Sequence, residues 1–95
     1  MTRETHDARI KRLRMRSMRR GIKEMDLILT AYADARLGEM SDSELTGYDT
    51  LLSENDQDLY QWVSGQQPAP AAMADLVAEI RAVALQTAGG VGQTG

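Results

Sequence analysis

The densest run of residues able to grip another molecule's polar groups is Arg19-Arg20-Gly21-Ile22-Lys23-Glu24, with Asp26 just beyond it. An arginine fork can hold a carboxylate or a phosphate through two parallel hydrogen bonds. A glycine lets the backbone turn and lets a partner approach closely. Glu24, one turn into a following helix, can present its carboxylate beside Arg20. Arg19, Lys23 and Asp26 flank the cluster with further charge. Two plainer readings stand beside this one: Gly21 as an interhelical turn residue, and Arg20 with Glu24 as an exposed ion pair worth roughly 0–1 kcal/mol.

Residues suited to bond-making chemistry are scarce. There is no cysteine, which removes thiol nucleophiles, disulfides and thiolate-held metals together. His6 is the only histidine and lies next to the N-terminus, a poor place for the partnered base of a nucleophilic site. Asn55-Asp56-Gln57-Asp58 lacks the alternating ligands, central glycine and terminal glutamate of a calcium loop, and reads as helix capping. Gly89-Gly90-Val91-Gly92 is not followed by a Lys-Ser/Thr pair and a helix, so it is no phosphate loop. We expect no catalytic residue, no metal site and no enzymatic activity.

Only helical patterns position the cluster. Residues 7–19 carry Ile10, Leu13 and Ser17 in one stripe, with Met15 and Met18 beside it and Arg or Lys elsewhere. Arg20-Gly21 then reads as a tight turn. Residues 22–37 place Met25, Leu29, Tyr32 and Ala33 on one face, with Gly38 as a stop. Ser41 with Glu44 forms a capping box for a third helix carrying Leu45, Tyr48, Leu51 and Leu52. Asn55 caps a short fourth helix, 56–64, with Leu59, Trp62 and Val63 at core spacing; Trp62 reads either as the largest core residue, which the spacing favours, or as part of a partner surface. Pro70 opens a fifth helix reaching about residue 86, with Met73, Leu76, Val77, Ile80 and Ala84 inward. The expectation is an all-α compact bundle of about five short antiparallel helices over residues 1–87, followed by a disordered Gly-rich tail, 88–95.

The net charge of −3 hides an asymmetry. Residues 1–23 hold nine basic residues against Glu4 and Asp7, while the remainder holds twelve acids against Arg36 and Arg81. A basic N-terminal helix on an acidic body implies an electrostatic contact, within the molecule or with a partner. Nucleic acid is one such partner, but residues 1–31 contain no Phe, Tyr or Trp to stack on bases. There is no apolar run long enough to span a bilayer and no apolar secretory segment, so we expect a cytoplasmic protein without membrane insertion. Three classes remain: a docking factor for another protein, an interaction module whose basic helix binds an acidic or nucleic-acid partner, and an antitoxin-like regulator.

The ordered set of motifs separates them. Arg20-Gly21-Ile22-Lys23-Glu24, preceded by an arginine-rich helix and followed by Met25-Asp26-Leu27-Ile28-Leu29 and Tyr32, resembles the Arg-Gly-x-x-Glu region of the succinate dehydrogenase assembly factor 2 family. The Leu51-Leu52 pair and then Asp56-Gln57-Asp58-Leu59-Tyr60-Gln61-Trp62 with Gly65 continue the likeness in order and spacing. It covers roughly residues 9–70 and departs at Tyr32, where phenylalanine is usual, and at Gln57, where proline is frequent. The resemblance implies a five-helix factor that binds the flavoprotein subunit of succinate dehydrogenase and, in some bacteria, that of fumarate reductase; a monomer when free is our own default expectation. The resemblance also implies that FAD becomes covalently attached to a histidine of that partner, by the partner's own chemistry. Our own expectation is that the factor holds no cofactor tightly, with direct FAD binding left open. Arg20, Gly21 and Glu24 are the contact residues it implies, and Arg19, Lys23 and Asp26 flank them.

Overall fold

Five α-helices form among the described residues, and capping side chains set the starts of three of them. The computed structural model describes the backbone of residues 4–92 and the side chains of residues 4–86. Helix α1 spans His6–Arg16, α2 Lys23–Arg36, α3 Asp42–Leu52, α4 Asp56–Val63 and α5 Ala74–Gly92, with 3-10 turns at Leu37–Glu39 and Ala71–Met73. No strand occurs among the described residues. The expected all-α bundle is therefore the architecture.

Helix α1 starts at Thr5, whose hydroxyl accepts the amide of Ala8 at 3.0 Å. It ends three residues sooner than the apolar stripe suggests. Ser17 is the cap, and its hydroxyl donates back to the Leu13 carbonyl at 2.8 Å. The backbone then reverses at Arg19, whose φ is 56°. The left-handed residue of this turn is thus Arg19 and not Gly21, so the glycine is needed there for a different reason, given below. Helix α3 has the expected capping box: the Ser41 amide donates to Glu44 Oε1 at 2.8 Å and the Glu44 amide to Ser41 Oγ at 3.2 Å. That backbone donor holds the Glu44 carboxyl below its usual range. Asn55 caps α4 by accepting the Gln57 amide at 2.7 Å. Gly65, with φ +85°, turns the chain away two residues after α4 ends.

Helix α5 continues to Gly92, past the expected end near residue 86. The run from Ala82 to Ala88 holds three alanines with Leu85 and Gln86, all good helix formers, and it carries the backbone pattern into the glycines. The segment expected as a tail, 88–95, is helical as far as residue 92; residues 93–95 lie outside the described residues.

The core is built around two tyrosines. Tyr32 and Tyr48 are the largest fully buried side chains, with ring centroids 5.5 Å apart and planes tilted by 41°. Leu13, Met25, Leu29, Leu51, Leu59 and Ile80 close around them, all fully buried. Each such aliphatic side chain contributes about 1.5–3 kcal/mol through removal from water. Helix α2 is the central element, packed most extensively on α5 and also touching α1 and α4. Trp62 corrects the sequence expectation: it is only partly buried, at the edge of the core, while Leu59 and Val63 fill α4's inward face.

Helices α1 and α3 lie side by side and run in the same direction. Arg9 reaches Asp42 and Thr46, Arg12 reaches Asp49, and Arg16 reaches Asp49 and Ser53. Partners on α3 rise in number with the arginines on α1, which only a parallel pairing allows, so this neighbouring pair departs from the antiparallel expectation.

Candidate functional site

The corner between α1 and α2 is held by one carboxylate from α4. Arg20 Nε donates to Asp56 Oδ1 at 2.8 Å, and Arg20 Nη2 lies 2.7 Å from the same oxygen. The Gly21 amide donates to the other oxygen, Asp56 Oδ2. Arg20 also donates to the carbonyls of Arg16 at 3.0 Å and Leu52 at 3.1 Å. Its side chain is 12% exposed and that of Asp56 19%, so water screens this pair far less than a surface ion pair. The geometry ties α1, the turn, α3 and α4 together at one point. Asp56 is also the first residue of α4, where the helix dipole favours a negative charge.

This arrangement explains Gly21. A Cβ placed there would sit 3.0 Å from Asp56 Oδ2, tighter than ordinary contact. The bare α-carbon lets the carboxylate close on the amide. Close approach is the role expected of this glycine, and the approaching group visible in the monomer is Asp56.

The six candidate residues separate into two sets. Arg20 turns inward, and its carboxylate partner is Asp56 rather than Glu24 as expected. The reason is local: Ile22 is the cap of α2, so Arg20 lies before the helix and does not share a helical face with Glu24. Arg19, Gly21, Lys23 and Glu24 are exposed, and Arg19, Lys23 and Glu24 bond to no other side chain among the described residues. Asp26 is partly buried and accepts the Thr30 hydroxyl at 3.4 Å, one turn along α2. A shallow depression of about 400 Å³ opens at the corner, lined by Arg16, Met18, Arg19, Arg20, Gly21 and Asp56. Met15 and Met18 on the α1 side and Leu27 on α2 are large apolar side chains left exposed.

Two residues of the site escaped the sequence reading. Asp56 was read as a capping residue, and no spacing rule links it to Arg20 across 36 positions. Met18 was placed beside a core stripe, yet the helix ends before it and leaves it at the surface.

The basic helix finds most of its partners inside the molecule. Arg12 bonds Glu4 at 2.8 Å and Asp49 at 3.2 Å, and these carboxylates raise its already high pKa. Arg16 bonds Asp49, and Arg14 faces Asp34 at 3.7 Å. Of the two destinations left open for this charge, the intramolecular one takes Arg9, Arg12, Arg14, Arg16 and Arg20. Among the described residues, no helix is long and apolar enough to cross a membrane, and no group of three or more His, Asp or Glu could hold a metal ion.

Such a molecule falls in the class of small helical proteins whose most developed feature is a braced, charged corner. A family model described as flavinator of succinate dehydrogenase matches residues 11–84, and the chain belongs to that family. Among its relatives, the succinate dehydrogenase assembly factor 2, mitochondrial, of Schizosaccharomyces pombe is 43% identical over 67 residues, 70% of this chain and 48% of that protein. The protein of the same name from Danio rerio is 41% identical over 69 residues, 70% of this chain and 44% of that protein. The one from Penicillium rubens is 46% identical over 57 residues, 60% of this chain and 18% of that protein. The chain thus spans less than half the length of these relatives. The corner, α4 and the start of α5 all lie within the family match.

Proposed function

We propose that the chain is an assembly factor for succinate dehydrogenase that docks on the flavoprotein subunit and promotes covalent attachment of FAD there. The chain supplies the docking surface, and the partner forms the bond to the flavin. It holds no FAD tightly itself and is a monomer when free. Arg19, Gly21, Lys23 and Glu24 meet the partner, with Met15 and Met18 beside them. Arg20 is a positioning residue that fixes the turn, and Asp26 steadies the first turn of α2.

The observation that carries this reading is the Arg20–Asp56–Gly21 brace. A surface turn needs no link of this kind merely to connect two helices. Pinned to α4, it presents its outward groups in one geometry and loses little conformational freedom on binding. Family membership supplies the partner's chemistry.

The test is deletion of the gene and measurement of flavin fluorescence in the denatured flavoprotein band. The expected result is loss of that fluorescence, its return with the wild-type gene, and no return with Gly21→Arg. Undiminished fluorescence in the deletion strain would overturn the reading.

A further inference from the structure

A second surface feature lies at the opposite end of α4. Trp62, Gly65, Pro68, Ala69, Val77 and Arg81 line a groove of about 380 Å³ between the end of α4, the loop that follows and the start of α5. The lining is mostly apolar and carries one cation. Gly65 has a positive φ of +85°, and a Cβ there would lie 3.0 Å from Arg81 Nη2, so the guanidinium rests directly against the bare backbone. Arg81 forms no hydrogen bond or ion pair among the described residues. Arg36, the other basic residue outside the N-terminal segment, does pair, with Glu79 at 3.4 Å. A guanidinium with five donors, seated in an apolar groove beside a partly buried indole, is matched by a carboxylate with an apolar side chain next to it.

We propose that this groove is a second docking point for the flavoprotein partner, taking an extended segment that carries an Asp or Glu for Arg81 and an apolar side chain for Trp62. The assignment rests on the proposed function for the partner's identity. Charge complementarity carries the chemistry. Asp56, which pins the corner, and Trp62 are six residues apart on α4, about 9 Å along its axis, so one partner wrapping this helix reaches both places.

Calorimetric titration of the full chain with the purified apo-flavoprotein subunit tests this. Arg81→Gln should raise Kd about tenfold and Arg81→Glu more, with helical circular dichroism and thermal midpoint unchanged because Arg81 has no bonded partner to lose. Arg36→Gln removes the same charge outside the groove and should leave Kd within about twofold. Wild-type affinity in both Arg81 variants would overturn the groove while leaving the corner intact. An equal loss in Arg36→Gln would reduce the effect to net charge and also overturn it. Failure of the wild-type chain to bind at all would overturn the functional reading, and the groove assignment with it.

Discussion

Asp56 is the residue on which the corner depends. It accepts from Arg20 and from the Gly21 amide, and both donors are left without a carboxylate when it is removed. Asp56→Ala should cost about 2 kcal/mol of stability, between the values for an exposed pair and a fully buried one, read from the urea midpoint at constant m-value. Gly21→Ala drives a methyl group into the same carboxylate and should cost about 1–2 kcal/mol. In the Asp56→Ala background that cost should shrink, because the clashing oxygen is gone, and a double-mutant cycle measures the difference. Additive costs would show that Gly21 and Asp56 act separately. This pairing was invisible in the sequence for a physical reason. Spacing rules report neighbours along a helix, whereas Arg20 and Asp56 meet only because two helices pack. The same rules suggested an Arg20–Glu24 pair, which fails because the helix begins between them at Ile22.

At the scale of elements, helix existence and inward faces were legible and terminations less so. Met25, Leu29, Tyr32 and Ala33 face the core as their periodicity indicated, and the Ser41–Glu44 box starts α3 where it was expected. Ser41→Ala should lower stability by about 1 kcal/mol, checked by thermal melting. The end of α1 was misjudged because Ser17 looks like one more stripe position. Its hydroxyl bonds both the Leu13 carbonyl and the buried Tyr48 hydroxyl, and it caps the helix instead. Trp62 lies at the rim because α4 turns Leu59 and Val63 into the core and leaves Trp62 beside the groove it shares with Val77 and Arg81 of α5, a packing direction that spacing along α4 does not encode. The buried tyrosines also give a pH response. Burial pushes the Tyr48 hydroxyl up to about 12, against roughly 10 in an unfolded chain. Burial pushes Tyr32 in the same direction, helped by Glu79. The folded chain therefore keeps protons that the unfolded chain releases. The associated stability is fully present below about pH 10 and is lost as pH rises towards 12. The thermal midpoint should fall across that window, and Tyr48→Phe should fall less steeply. A midpoint that stays flat would contradict the assigned burial of both hydroxyls.

For the whole molecule, the sign asymmetry of the chain is resolved chiefly by folding. Arginines of α1 and the turn face acids of α2, α3 and α4, so the strongly basic segment becomes an internal seam. The cations left outward in the N-terminal segment are Arg19 and Lys23 at the corner and Lys11 further back on α1. So few phosphate contacts give weak nucleic-acid affinity with a shallow salt slope. A gel-shift series in rising salt should accordingly show no tight complex, whereas a tight complex with a steep slope would favour the basic-helix reading. Composition disclosed the asymmetry, but only packing discloses which charges remain available: Arg19 and Lys23 at the corner, Lys11 on α1 and Arg81 in the groove beside α4. The central claim is that this corner enables FAD attachment on the flavoprotein. Its most direct test is reconstitution: purified apo-flavoprotein subunit and FAD, with or without the chain, followed by flavin fluorescence of the denatured band over time. The account requires fast attachment with the wild-type chain and slow attachment with Glu24→Ala, a variant whose circular dichroism should match wild type because Glu24 has no bonded partner among the described residues. Attachment that proceeds equally fast without the chain, or with Glu24→Ala and Gly21→Arg alike, would contradict it.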